Sequence, residues 1–267
     1  NDHYATLESD DYDLSSVLTL VSGQQIRAGN GNAVAHPDPA GVLTSRAFME
    51  AHASAGTNRR LVEFTMKAFT CNEMEEWSDA SAPDIKVGRD VDRFPGGDGA
   101  KFQTTCKACH AQMDGMRGAF ARFDFSDGFT KYATLYNDGT GEDSMPQAPL
   151  GVSSKLNQNT DVFPAGHEVL DDSWTNYARS PANQQLFGWR GTVASGAGVG
   201  QFGTAVSNTQ AFSKCMVKRV FREVCRRDPA NFEIPAIESI ANGFETQGYN
   251  LKLLFETVSV RPECAGL

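Results

Sequence analysis

Cys106-Lys107-Ala108-Cys109-His110 narrows what this chain can fold into more than any other stretch of it. The spacing C-x-x-C-H presents two thiols on one helical turn and an imidazole directly after the second. Thiols placed this way add to the two vinyl groups of a haem, and the histidine then ligates the iron. A chain carrying the motif must wrap a flat, largely apolar macrocycle, so one covalent haem c is the expected cofactor, held by Cys106, Cys109 and His110. The other meanings of two close cysteines lack their contexts. A zinc site needs a second ligand pair nearby, and a thioredoxin-like redox pair needs a βαβ pattern.

The chain has 267 residues, 40% of them hydrophobic, enough for a sizeable core in one large domain or two small ones. No apolar run reaches the length of a membrane span. Asn1-Asp2-His3 is a polar start, as expected of a mature exported chain whose signal has been removed or left out. A net charge of −9 makes nucleic acid a poor partner, since the phosphate backbone is itself anionic. The charge reads as solubility, or as an acidic face for a basic redox partner.

Residues 1–42 are polar and turn-rich, with loops at Ala28-Gly29-Asn30-Gly31-Asn32 and His36-Pro37-Asp38-Pro39-Ala40-Gly41. Helices are expected from Thr44 to about Ala53, and from an N-cap at Thr57 to about Thr70. A short helix from about Ala100 to Gln112 carries the haem motif. Residues 124–170 read as irregular, either binding loops or disorder, with the haem as a reason for order. The clearest helical signal comes last. Phe212, Met216, Val220 and Val224 mark one helix, stopped by Asp228-Pro229. Ile234, Ile237, Ile240, Ala241 and Phe244 mark the next, broken at Gly248. Leu251, Leu254, Phe255 and Val258 mark a third. The fold class read from this is mainly α with long irregular loops. It comprises a cytochrome c-like haem region over residues 1–200 and an antiparallel three-helix module over residues 201–267, packed on it.

Six cysteines are present, and four remain once the haem motif is set aside. Four allow three pairings, or four free thiols. In an antiparallel three-helix module the first and third helices end on the same side, which brings Cys225 and Cys264 together. Cys215 and Cys225 lie too far apart along one helix to bridge. The expected bridges are therefore Cys225–Cys264 and Cys71–Cys215, suited to an oxidising compartment.

The sixth iron ligand has rival candidates. Met113 and Met116 follow His110 too closely to reach the opposite face. Met145, in Asp143-Ser144-Met145-Pro146, follows a flexible loop and resembles the Met-Pro distal segment of class I c-type cytochromes. His167 is the alternative, and an open or water-bound iron a third option. Arg89, Arg93, Arg117, Arg122 and Trp77 flank the motif as donors for the haem propionates or as ordinary solvated side chains. His36 and His52 are expected at the surface. Asp138, Glu142 and Asp143 miss the spacing of a calcium loop and read as a plain acidic loop. Gly196-Ala197-Gly198-Val199-Gly200 follows no expected strand and is not a dinucleotide fingerprint.

The motif's surroundings carry a family likeness. Cys106 to Met113-Asp114, followed by Phe123-Asp124, resembles the C-terminal half of the planctomycete-type cytochrome-associated proteins, which have C-x-x-C-H-x-x-M-D and then Phe-Asp. Gly41-Val42-Leu43-Thr44 and Thr57-Asn58-Arg59-Arg60 resemble segments before that family's motif, and Phe212 to Val258 resembles its closing helices. The chain departs from the family at Gly115-Met116-Arg117, where members have Pro-x-Gly, and around Met145 and His167, where no counterpart is found. The resemblance implies an exported haem protein and says little about a substrate. The reading taken forward is an exported monohaem c-type cytochrome that transfers single electrons. Two alternatives stay open: a haem enzyme or sensor for peroxide or a diatomic gas with an open or displaceable sixth position, and a structural module that haem helps to fold.

Overall fold

A computed structural model describes residues 9–13, 23–53, 57–135, 147–148, 151–157, 163 and 165–264. The protein is mainly helical, with small two-stranded hairpins set between the helices. The first hairpin pairs β1 (Gln25–Arg27) with β2 (Ala33–Ala35) around the Gly-Asn-Gly loop. Helix α1 (Arg46–His52) starts at Ser45, whose hydroxyl accepts the Phe48 N–H. Helix α2 (Arg59–Thr70) buries Leu61, Val62, Thr65 and Met66 along one face. Its cap is not Thr57 but Asn58, in the left-handed region at φ 62°. The Asn58 amide donates to the Phe120 carbonyl at 2.8 Å rather than to its own helix, so tertiary contact outweighs local capping here.

A short helix, α3 (Met74–Trp77), follows, closed by a reciprocal pair between Glu73 and Glu76. After a loop, a turn at Gly99–Lys101 and a π-helical stretch at Phe102–Cys106 run without a break into α4 (Lys107–Met116). The haem-motif helix is therefore one turn longer at its C-terminal end than the sequence periodicity suggests. Strands β3 (Phe123–Ser126) and β4 (Phe129–Tyr132) form a hairpin turned by Asp127-Gly128, both at positive φ. This order lies within the stretch read as irregular, and Asp-Gly between aromatic residues is a hairpin signal. Strands β5 (Gln147–Ala148) and β6 (Val152–Ser153) pair next.

Strand β7 (Ser173–Thr175) pairs with β8 (Ser195–Ala197), with α5 (Pro181–Phe187) between them. The glycine-rich stretch thus begins inside a strand, β8, and its last three residues open α6 (Gly198–Ser207). Its N-terminal amides are taken by the chain's own Asp38, which accepts from Val199 at 2.5 Å and Gly200 at 2.9 Å. Gly198 has φ +71° and lies against that carboxylate, so no side chain fits there. Then come α7 (Gln210–Cys225), α8 (Ile234–Thr246) and α9 (Leu251–Ser259), with Thr209 and Asn250 capping α7 and α9.

Two main cores result. Met49, Leu61, Trp77, Met116, Phe120 and Phe202 belong to the larger one. Val217 and Phe221 of α7, Ile237 and Phe244 of α8, and Leu254 and Val258 of α9 form the smaller one. The boundary expected at residue 200 falls inside α6, whose Val199, Phe202 and Val206 pack in the larger core. Both disulfides are those expected: Cys71–Cys215 ties the end of α2 to α7, and Cys225–Cys264 ties the end of α7 to the segment after α9. Among the described residues no helix is long and apolar enough to cross a membrane.

Two histidines sit otherwise than expected. His36 is buried, stacked on Phe123, and accepts the Asp38 N–H on Nδ1. His52 packs between Phe48 and Phe64. Both are held below the usual histidine pKa, chiefly by burial. Their aromatic neighbours come from elsewhere in the fold or from a helix face, which polarity along the chain does not reveal.

Candidate functional site

Helix α4 is fixed to the protein along its back. The Gln112 amide donates to the Trp77 carbonyl at 2.6 Å, and Asn183 of α5 donates to the same carbonyl at 3.0 Å and to Gln112 Oε1 at 3.0 Å. Gly115 packs flush on β7, where a Cβ would stand 2.5 Å from the Thr175 carbonyl oxygen. Gly118 does the same against Ser173. These two contacts explain why glycines stand at the end of this helix.

Helical spacing aligns Cys106, His110, Asp114 and Arg117, at intervals of three and four, on one side of the segment. Cys106 and Cys109 are half-buried and unpaired, although the other four cysteines are all in disulfides. Burial, then Glu75 and Glu63, push the Cys109 thiol above its ordinary pKa. A redox-active Cys-x-x-Cys pair needs the opposite shift. The His110 side chain is 27% exposed. Its Nδ1 is buried, makes no hydrogen bond and lies 3.6 Å from Asp114 Oδ1.

Asp114 is fully buried and anchors a network that reaches across the fold. Arg59, from the first turn of α2, donates Nε to Asp114 Oδ1 at 2.5 Å and Nη2 to Oδ2 at 2.7 Å. The same guanidinium holds Asp90 through Nη1 at 2.5 Å and Nη2 at 2.9 Å. The Gly88 N–H also donates to Asp114 Oδ2, at 2.7 Å. Burial works to raise the Asp114 pKa, but the hydrogen bonds from Arg59, with His110 close by, and the charge of Arg117 hold it well below the carboxylate range. The same contest, won by Arg59, keeps Asp90 ionised.

Arg117 is the least ordinary residue of the group. Its side chain is wholly buried, its three guanidinium nitrogens make no hydrogen bond, and Asp90 Oδ1 lies 3.8 Å away. Burial lowers its pKa, opposed by Asp114. The other arginines flanking the motif are committed: Arg89 to Glu168 at 3.0 Å, Arg93 to Asp84 at 2.8 Å, and Arg122 to Asp172 at 2.8 Å. Trp77 is fully buried and its Nε1–H has no acceptor. Arg117 and Trp77 are thus flanking donors that make no side-chain hydrogen bond at all, while Arg93 keeps only its Nε free.

Met145, Asp138, Glu142 and Asp143 lie outside the described residues. His167 is partly buried. Its N–H donates to the Val87 carbonyl at 2.7 Å, and it bridges to Gly88, the residue that contacts Asp114. Burial, then the charges of Lys86 and Arg117, lower its pKa to about 4. It is not brought into contact with His110. Met113 and Met116 are buried in the larger core. Among the described residues no three His, Cys, Asp or Glu side chains gather to hold a metal ion.

Motif reading alone did not single out Arg59 and Asp90. They join the site only through folding, and their one trace in the sequence is an arginine beside the second helix start. No family model, curated protein or solved structure matches the chain.

Proposed function

We propose that the chain is an exported monohaem c-type cytochrome that passes single electrons, its haem c held by Cys106, Cys109 and His110. The observation that carries the reading is the sorting of the cysteines: four close two disulfides, while the two of C-x-x-C-H stay free beside a half-exposed imidazole. The His110 ring has its Nδ1 buried against Asp114, which leaves Nε2 as the nitrogen available to iron. An iron in a porphyrin needs only axial ligands from protein, so the site requires no cluster of side chains. The fit extends to the propionates. Arg117 and Trp77 are buried donors without acceptors, and carboxylates suit both.

When bound, the haem supplies a one-electron couple whose potential the axial ligands and their surroundings set. The protein's own part is to present His110, exclude water from its Nδ1 side and leave the thioether edge near the surface. Met145 is the proposed sixth ligand. The tie of His167 to the segment that contacts Asp114 speaks against that rival, since Asp114 lies on the Nδ1 side of His110. The haem region is read as cytochrome c-like, with α7, α8 and α9 as an antiparallel three-helix module. This agrees with the resemblance to the planctomycete-type cytochrome-associated proteins. The two disulfides suit export to a periplasm or cell surface.

Expression with haem-attachment machinery tests the reading. A covalent haem adduct on the Cys106–His110 peptide is expected, and its absence overturns the proposal. The ferric protein should show the charge-transfer band of a sulfur ligand, lost in Met145→Ala. Fast binding of CO or cyanide by the unaltered protein would favour the open-site alternative.

A further inference from the structure

We propose that Asp114 is a positioning residue for the His110 ligand: it accepts a hydrogen bond from the Nδ1–H, fixes the ring and holds the reduction potential low. The proposal rests on the haem reading above.

Asp114 lies one helical turn from His110, with Oδ1 3.6 Å from Nδ1. That nitrogen is buried and makes no hydrogen bond in this structure, so the adjacent carboxylate is the acceptor placed to receive its N–H once a small turn of the ring closes the gap. The carboxylate cannot turn away. Arg59 grips both its oxygens, and the Gly88 N–H fixes Oδ2. Gly88 lies tight against the same network, since a Cβ there would stand 2.5 Å from Arg117 Nη2 and would have to displace that guanidinium. Arg59 and Arg117 balance Asp90 and Asp114 as two positive and two negative buried charges. The carboxylate thus keeps its negative pole without unpaired charge around it.

A backbone carbonyl in the same position would accept the Nδ1 proton as a neutral dipole. A fixed carboxylate pulls harder on that proton and makes Nε2 a stronger donor, which favours the ferric state. The charge-assisted bond also pins the plane of the ring. The protein therefore invests its most buried ion network in the back of the ligand rather than in the macrocycle's edge.

The test uses haem-loaded protein and an equilibrium redox titration. Asp114→Asn is expected to raise the midpoint by about 59 mV, a tenfold change in the one-electron equilibrium. Asp90→Asn removes a charge from the same network but does not touch His110, and should raise it far less. An unchanged midpoint in Asp114→Asn, with haem content intact, overturns the proposal and leaves the cytochrome reading standing. Equal shifts in the two variants overturn it also, since general charge would then suffice. Because Asp114→Asn leaves Arg59 with Asp90 alone and could cost the fold, the reduced unaltered protein gives a second reading. Its His110 Nδ1 proton should resonate downfield of an imidazole–haem complex in water and exchange slowly. Rapid exchange overturns the proposal. Unaltered protein that takes up no haem overturns the functional reading itself.

Discussion

Arg59 reaches two carboxylates at once, Asp90 and Asp114, from the first turn of α2. Both carboxylates are largely or wholly buried, so removing their shared cation strands two charges away from water. Arg59→Ala should cost about 3–5 kcal/mol in urea unfolding, the usual consequence of breaking a buried pair from one side. Arg59→Lys should recover only part, because an ammonium cannot span both carboxylates with a planar fork. His167 governs a different response. Its folded pKa of about 4 lies below the 6.5 of an unhindered histidine, so the unfolded chain binds the proton first. Stability is therefore fully present above about pH 6.5 and falls as the pH drops toward about 4. His167→Gln should flatten that part of the curve in denaturation midpoints measured from pH 7 to pH 4. The cysteines and histidine of the motif were legible because their chemistry is written in adjacent positions. Arg59, Asp90 and the burial of His36 were not, because each depends on a neighbour that only the fold supplies.

Helix α4 is held by contacts that leave no spare volume. Gly115 and Gly118 let it lie directly on the β7 backbone, and the Gln112–Asn183 pair fixes its roll. Gly118→Ala should destabilise the protein by about 1–3 kcal/mol, as overpacking does, and should reduce the yield of haem-loaded protein. Thermal unfolding and haem content check both parts. The bridges act at the same scale. Cys71–Cys215 closes 144 residues and Cys225–Cys264 closes 39. In the chain-entropy account these are worth about 5 and about 4 kcal/mol. Replacing the first pair with serine should therefore lower the unfolding midpoint more than replacing the second. Helices α7 to α9 were legible because apolar residues repeat at helical spacing over long stretches. The π turn before α4 and the helix behind the Gly196–Gly200 stretch were not. Glycine reads as a break in the sequence, whereas here it permits Asp38 to close on a helix start.

Across the whole molecule, under the proposed electron-transfer reading, the net charge of −9 should set how it meets a redox partner. With a basic electron acceptor the bimolecular rate should fall steeply as ionic strength rises, and with an acidic one it should rise modestly. Stopped-flow reduction at several salt concentrations distinguishes the two. Composition was enough to read this trait. The division into regions was less legible, because α6 belongs to the larger core although it lies late in the chain. The segregation of the six cysteines has a further consequence, one of timing. The compartment that oxidises four of them exposes the other two to the same chemistry, one turn apart and half-open to solvent. Under the proposed haem reading, maturation is then a race on a single helix between oxidation and haem arrival. Thiols with a raised pKa, such as Cys109, enter that race slowly as nucleophiles and remain available to the cofactor for longer.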